Sequence, residues 1–334
     1  MSDNDDIVMI RASIWSGVIW LCVIAAAAIA LTSCGPGRSD PPPSGVELLG
    51  PYISAATTYR AAMPRGQFLY EDRCDSLTWT ALAQASAPEL NIDVNRAEAA
   101  PGRWLRRPAT LPECYATGQS RSTISPDGLL SLMWLWAVRS SPGDIQDATE
   151  LRSYIDGRDG FAGDGRLEGA DTYVKPRHRA TLNALIDVGN KKKDPRRALG
   201  GIIDKILSQV PDFCPGGYAC YQKLSLLALI GYLGGDLTSG DRWEAANALS
   251  QAPNNPLWYV LASYISGASL DMERVRSALD NWAKYPADRL PTTAETCDEM
   301  SFQREVNSTC SDHAEQRGLD LILLMWYIDN LYGR

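Results

Sequence analysis

Four stretches of the chain are apolar on nearly every side when drawn as helices: 129–138, 224–233, 257–265 and 319–328. A helix that is apolar all round is usually buried on every side. Stretches of about ten residues are also too short to cross a bilayer. The sequence therefore predicts four helices in the interior of a folded body.

Between these stretches lie segments with a single apolar face. Apolar residues recur there at helical spacing, as in Ile145, Ala148, Leu151 and Ile155, in Ile202, Ile203, Ile206 and Val210, and in Met272, Val275, Leu279 and Trp282. No segment shows a convincing strand alternation. Buried helices alternating with one-sided helices indicate an all-α fold, a two-layer array of antiparallel helical hairpins. The predicted helices span 50–62, 75–86, 125–139, 144–156, 177–189, 195–210, 218–234, 240–251, 255–267, 271–284 and 313–332.

The N-terminal segment carries an uncharged apolar run over residues 12–33, roughly long enough to span a bilayer. Its end, Leu31-Thr32-Ser33-Cys34, resembles the lipobox of bacterial lipoproteins. That resemblance implies a signal peptide over residues 1–34 with Cys34 as the lipid attachment site; an uncleaved membrane anchor is the alternative. Both place the protein in the bacterial cell envelope, membrane-anchored and facing the periplasm or the exterior. A flexible Pro/Gly linker over 35–48 and a single helical domain over 49–334 are expected to follow.

Cysteine usage agrees with an oxidising compartment. Apart from Cys22 in the apolar run and Cys34, six of the eight cysteines remain. An even number suggests disulfides rather than free buried thiols, although six cysteines allow about 15 connectivities. Pairing of sequence neighbours is favoured among them: Cys74–Cys114, Cys214–Cys220 and Cys297–Cys310. No metal-ligand or haem spacing occurs, so neither a metal nor a cofactor is expected.

The charge balance bears on the partner. The chain has 32 Lys and Arg against 40 Asp and Glu, a formal net charge of −8. Affinity for nucleic acid comes mainly from neutralising phosphates with basic residues. An acidic body therefore argues against a nucleic-acid partner.

The alternation of buried and one-sided helices resembles the α/α toroid proteins, many of which act on polysaccharides. It is also similar to superhelical repeats of the tetratricopeptide type, although no 34-residue period recurs. The first resemblance implies a closed or incomplete ring of helical hairpins that binds or cleaves a polysaccharide.

The lengths of the connections suggest where a ligand binds. The predicted links 140–143, 190–194, 235–239 and 268–270 are short, whereas most of 87–124, 157–176, 211–217 and 285–312 are long. Because successive helices alternate in direction, the two sets are expected at opposite faces. The buried helices would then all begin at the loop-rich face, where their N-termini favour an acidic ligand such as a uronic-acid-containing glycan.

Candidate catalytic residues are acids and a histidine near that face. Asp127 lies in the helix-start motif Ser125-Pro126-Asp127, and Asp164 and Glu168 lie in a glycine-rich loop. Asp127 paired with either of them could provide the acid and the base for cleaving a glycosidic bond; alternatively, Asp127 simply stabilises a helix N-terminus. His178 is a candidate base or a surface histidine.

Candidate ligand-binding residues are Trp104, as a platform for sugar stacking, and Tyr173, Arg177 and Arg179 near the start of the helix 177–189. Trp134 and Trp136 are expected in the core. The leading hypothesis is an envelope-tethered lipoprotein that binds or cleaves an acidic polysaccharide at its loop-rich face. A non-enzymatic helical scaffold that recruits an envelope partner is the alternative.

Overall fold

The computed structural model describes seven segments of the chain: 45–69, 76–111, 123–163, 172–190, 218–251, 253–281 and 319–333. A compact unit runs from Leu48 to Arg334. The proposed signal or anchor and Cys34 lie outside the described residues. Among the described residues, no helix has both the length and the apolar character needed to cross a membrane.

The described part of the chain is all-α, with ten helices packed in antiparallel pairs. They are α1 Gly45–Ala62, α2 Ser76–Ser86, α3 Pro126–Arg139, α4 Pro142–Asp156, α5 Pro176–Gly189, α6 Tyr218–Tyr232, α7 Ser239–Gln251, α8 Pro256–Ser266, α9 Met272–Asn281 and α10 Leu319–Tyr332. Each matches a helix predicted from the sequence. The eleventh prediction, 195–210, lies outside the described residues.

Two predictions about local structure need correction. Helix α1 begins at Gly45, so the last four residues assigned to the linker 35–48 are helical; Leu49, only 1% exposed, anchors this end in the core. The expectation of no strands is also wrong, because Glu98–Ala100 (β1) and Arg103–Trp104 (β2) form a short antiparallel hairpin within the link 87–124. Gly102, at φ +73°, makes the turn between them.

The helices predicted to be buried form the centre of the body. In α3, every residue from Gly128 to Ala137 is buried, and α10 is buried from Leu319 to Ile328. Helix α2 packs on α3, α3 on α6, α6 on α8, α8 on α10, and α10 returns to α2. These five helices therefore contact one another in a closed cycle. Helix α5 contacts both α3 and α6 but buries one face only.

The directions of α3, α4 and α5 follow from contacts between them. Arg139, in the last turn of α3, lies 3.1 Å from Asp144 in the first turn of α4. Arg152 Nε of α4 donates to Asn183 Oδ1 of α5 at 2.6 Å, and Gly189 at the end of α5 lies against the side chain of Ile145 near the start of α4. Each helix thus runs antiparallel to the one before it. Helices α3 and α5 therefore begin at the same end of the body, as the alternation of directions predicts.

The expected sorting of connections onto two faces fails at the next hairpin. Arg177, at the start of α5, forms ion pairs with Asp241 and Glu244 in the first half of α7. Helix α7 begins at the end of the short connection 235–239, which follows α6. The sequence predicts this connection at the face opposite the start of α5. The start of α5 thus lies beside that short connection, so the short and long connections are not fully separated onto opposite faces.

Candidate functional site

The start of α3 has the predicted cap. Ser125 Oγ accepts a hydrogen bond from Gly128 N at 3.0 Å, Pro126 occupies the first turn, and Asp127 follows it, half-buried. An acidic side chain in this turn stabilises the positive end of the helix dipole. Asp164 and Glu168, the proposed partners of Asp127 in acid–base catalysis, lie outside the described residues. The carboxylate pair remains a prediction.

The start of α5 holds three consecutive candidate residues, and their side chains have three different environments. Arg177 pairs with α7, His178 turns one ring nitrogen into the protein interior, and Arg179 lies against Tyr173. The cap residue Lys175 provides no side-chain hydrogen bond to the helix, and Pro176 fixes the first turn. The side-chain contacts of Arg177 and Arg179, rather than a capping hydroxyl or carboxylate, therefore stabilise this helix start.

Arg177 belongs to a buried charge cluster that joins three helices. Its guanidinium lies 3.1 Å from Asp241 Oδ1 and 3.3 Å from Glu244 Oε2, and Lys223 Nζ of α6 lies 3.2 Å from the same Glu244 oxygen. The Asp241 carboxylate also accepts hydrogen bonds from the Thr238 amide and hydroxyl, both at 2.8 Å. Two basic and two acidic side chains thus neutralise one another. Arg177 is used in structure, which weighs against its predicted role in ligand binding.

His178 is neutral in the folded protein. Burial, together with the nearby charges of Lys175 and Arg177, lowers its pKa to about 4. Its Nδ1 is buried without a hydrogen-bond partner. A catalytic histidine is usually oriented by a carboxylate on this nitrogen. Within the described residues His178 lacks that partner, so its role as a base stays a prediction.

Tyr173 and Phe161, a residue that the sequence reasoning missed, are exposed, and the half-buried Arg179 lies against Tyr173. Arg179 Nη2 lies 3.5 Å from the Tyr173 hydroxyl, and its guanidinium carbon lies 5.9 Å from the centre of the Tyr173 ring. The rings of Tyr173 and Phe161 meet edge to face, 5.3 Å apart. The sequence did contain a signal, an aromatic residue inside the glycine- and aspartate-rich run 156–165.

Trp104 cannot be the sugar platform that the sequence predicted. Its side chain is 0% exposed and packs edge to face on Trp136 at 5.6 Å. Although it sits in a long connection, it ends strand β2 beside α4, and its ring points into the core. The prediction that Trp134 and Trp136 are core residues is confirmed, since both are buried.

Cys220 is the only cysteine among the described residues. It is fully buried in α6, and every cysteine that could pair with it lies outside the described residues. The pairings Cys74–Cys114, Cys214–Cys220 and Cys297–Cys310 stay predictions. Over the same residues, no group of three His, Cys, Asp or Glu side chains is placed to hold a metal ion.

The chain matches no protein-family model, no curated protein and no solved structure.

Proposed function

We propose that this protein is an envelope-tethered helical body that binds an acidic polysaccharide at the surface formed by Tyr173 and Arg179. The observation that carries the proposal is the contact of the Arg179 guanidinium with the ring of Tyr173, which is 46% exposed. Within the described part of the chain no carboxylate pairs with it, whereas two carboxylates neutralise its neighbour Arg177. A half-buried guanidinium next to an exposed aromatic ring fits a ligand with an anionic group and an apolar face.

The proposal includes a finer architecture, an α/α toroid. Two features support it: the closed cycle of contacts from α2 through α10, and a hydrogen bond between the first and ninth described helices. In that contact Tyr52 of α1 donates a hydrogen bond to Asp280 of α9 at 2.6 Å. A toroid closes in this way when its first and last hairpins meet.

The test is a screen of acidic and neutral oligosaccharides against the full chain in mild detergent. We expect uronate-containing glycans to bind, and Arg179→Gln to weaken that binding by tenfold or more, the usual effect of losing a charge-assisted hydrogen bond. Arg276→Gln makes the same substitution in an exposed ion pair on α9 and should leave binding unchanged. Equal binding of Arg179→Gln and the wild type would refute the proposed surface.

Cleavage is tested in the same samples by measuring new reducing ends. Loss of cleavage in Asp127→Asn, with binding retained, would support the acid–base pair of Asp127 with Asp164 or Glu168. Binding without any release of reducing ends would favour a non-catalytic receptor.

A scaffold that recruits an envelope protein is the second candidate, and the observation that favours it is Trp243. This indole on α7 is 53% exposed, and tryptophan is enriched at the centre of protein interfaces. A photo-crosslinker placed at position 243 should then capture one defined envelope protein, in wild-type and Arg179→Gln backgrounds alike. A cross-linker that captures no defined protein would remove this candidate.

A further inference from the structure

We infer that Phe161 and Tyr173 form a preassembled aromatic corner that binds one pyranose ring of a uronic-acid-containing glycan, with the sugar carboxylate directed to Arg179. The inference rests on the proposed function and deepens it. It adds Phe161 as a binding residue and specifies the part of the ligand that each side chain contacts.

The exposure of these two rings is the first argument. Among the described residues only three large hydrophobic side chains are exposed: Phe161 at 40%, Tyr173 at 46% and Trp243. Single exposed apolar residues are common and need no explanation. Here two of the three lie in contact although they are twelve positions apart in sequence. The fold brings them together at the surface instead of burying them.

The backbone holds the pair in place. Phe161 and Tyr173 are opposite residues of an isolated antiparallel bridge. Ala162 N donates to Thr172 O at 2.9 Å, and Val174 N donates to Gly160 O at 2.8 Å. These hydrogen bonds join the residues on either side of Phe161 and Tyr173, so the two form a non-hydrogen-bonded pair. In an antiparallel ladder, the side chains of such a pair lie closer together than those of a hydrogen-bonded pair. Both rings therefore project from the same side of the bridge.

Gly160 makes room for the Tyr173 ring. A Cβ at this position would lie 2.8 Å from Tyr173 Cε2 and 3.4 Å from Arg179 Nη1, and the backbone has φ +96°. Only glycine fits both the space and the conformation. The Tyr173 ring thus lies against the backbone with Arg179 beside it, so that little side-chain ordering is left for ligand binding.

The geometry of the corner favours a sugar. The two rings are inclined at 65°, so that a flat nucleobase could stack on only one of them. A pyranose chair offers C–H groups on one face and at its edge, and can touch both rings. Arg179 then lies where a carboxylate of the same sugar can accept hydrogen bonds from its guanidinium. The chemistry common to these contacts is that of a uronic acid.

The experiment is calorimetric titration of the full chain in mild detergent with tri-galacturonate and with the matching neutral galactose trisaccharide. We expect Phe161→Ala and Tyr173→Ala each to weaken tri-galacturonate binding about tenfold, in line with the loss of an aromatic stacking contact. Trp243→Ala, which removes an exposed aromatic ring elsewhere, should have no effect. Phe161→Tyr, which retains a ring, should bind like the wild type. Circular dichroism of each variant verifies folding.

The outcomes separate this inference from the proposed function. If tri-galacturonate binds and Arg179→Gln weakens it while Phe161→Ala does not, the aromatic corner is overturned and the proposed surface stands. If Phe161→Ala weakens both trisaccharides equally and Arg179→Gln changes neither, the role of the carboxylate and the proposed surface at Arg179 are overturned, while the aromatic corner stands. If the wild type binds no glycan, both the inference and the proposed function fail.

Discussion

Replacing Arg177 with glutamine should destabilise the protein by about 2–3 kcal/mol. Removing one partner of a buried ion pair costs about 3–5 kcal/mol, because a charge is left without compensation. Asp241 is only 2% exposed, so the stability lost on removing Arg177 should lie near this range. Two features reduce it: Glu244 keeps its pair with Lys223, and Asp241 keeps its hydrogen bonds from Thr238.

The assay is thermal unfolding of the full chain in mild detergent, followed by tryptophan fluorescence. For a domain of this size, about 2–3 kcal/mol corresponds to a drop in Tm of about 5 °C. Arg276→Gln is the matched control. Its pair with Asp280 is exposed on both sides, and such i,i+4 pairs contribute about 0.3–0.5 kcal/mol.

A double-mutant cycle makes this prediction specific to the Arg177–Asp241 contact. The coupling between Arg177→Gln and Asp241→Asn should be about 1–3 kcal/mol. A destabilisation below about 0.5 kcal/mol for Arg177→Gln, or a coupling near zero, would refute the cluster. It would also remove the contact that places the start of α5 beside α7.

Three further changes have defined outcomes. The pKa of His178 is lowered to about 4 in the folded state, so the neutral ring stabilises the fold fully above about pH 6.5 and this stabilisation is lost as the pH falls towards 4. Between pH 7 and 4.5, the free energy of unfolding measured in urea should fall by about 2 kcal/mol more for the wild type than for His178→Gln. Gly102→Ala should destabilise the protein by more than 2 kcal/mol, since its Cβ would lie 2.3 Å from a carbonyl oxygen of α4, whereas Gly66→Ala, strained only in φ, should cost about 1 kcal/mol. A reversed order would contradict this reading. Tyr52→Phe should lower stability by about 1 kcal/mol through loss of its hydrogen bond to Asp280, and an unchanged Tm would show that this contact does not hold α1 to α9.

The helices could be predicted because their signals are local. Pro126, Pro142, Pro176 and Pro256 each occupy the first turn of a helix, and three of these helices follow a Ser or Asn cap whose side chain accepts a backbone hydrogen bond. Proline in the first turn and a polar cap before it are readable from a few residues. The all-round apolar stretches likewise marked the buried helices.

The site depends on contacts that sequence spacing does not contain. Arg177 looked like a ligand-binding residue because its partners lie 64 and 67 positions further along the chain. Trp104 looked like an exposed loop residue because its burial depends on Trp136, in a helix that begins more than twenty positions later. The pairing of Phe161 with Tyr173 needs the bridge between two irregular segments, which has no periodic pattern.

The hydrogen bond between Tyr52 and Asp280 joins residues 228 positions apart, and this separation has a consequence for how the chain is made. Contacts between distant residues form late and slow the folding of a domain. Helix α2 also packs on α10, the last described helix. The apolar side chains of α1 and α2 therefore stay exposed during synthesis until α9 and α10 have been made. Such a chain is most exposed to proteases and aggregation during synthesis.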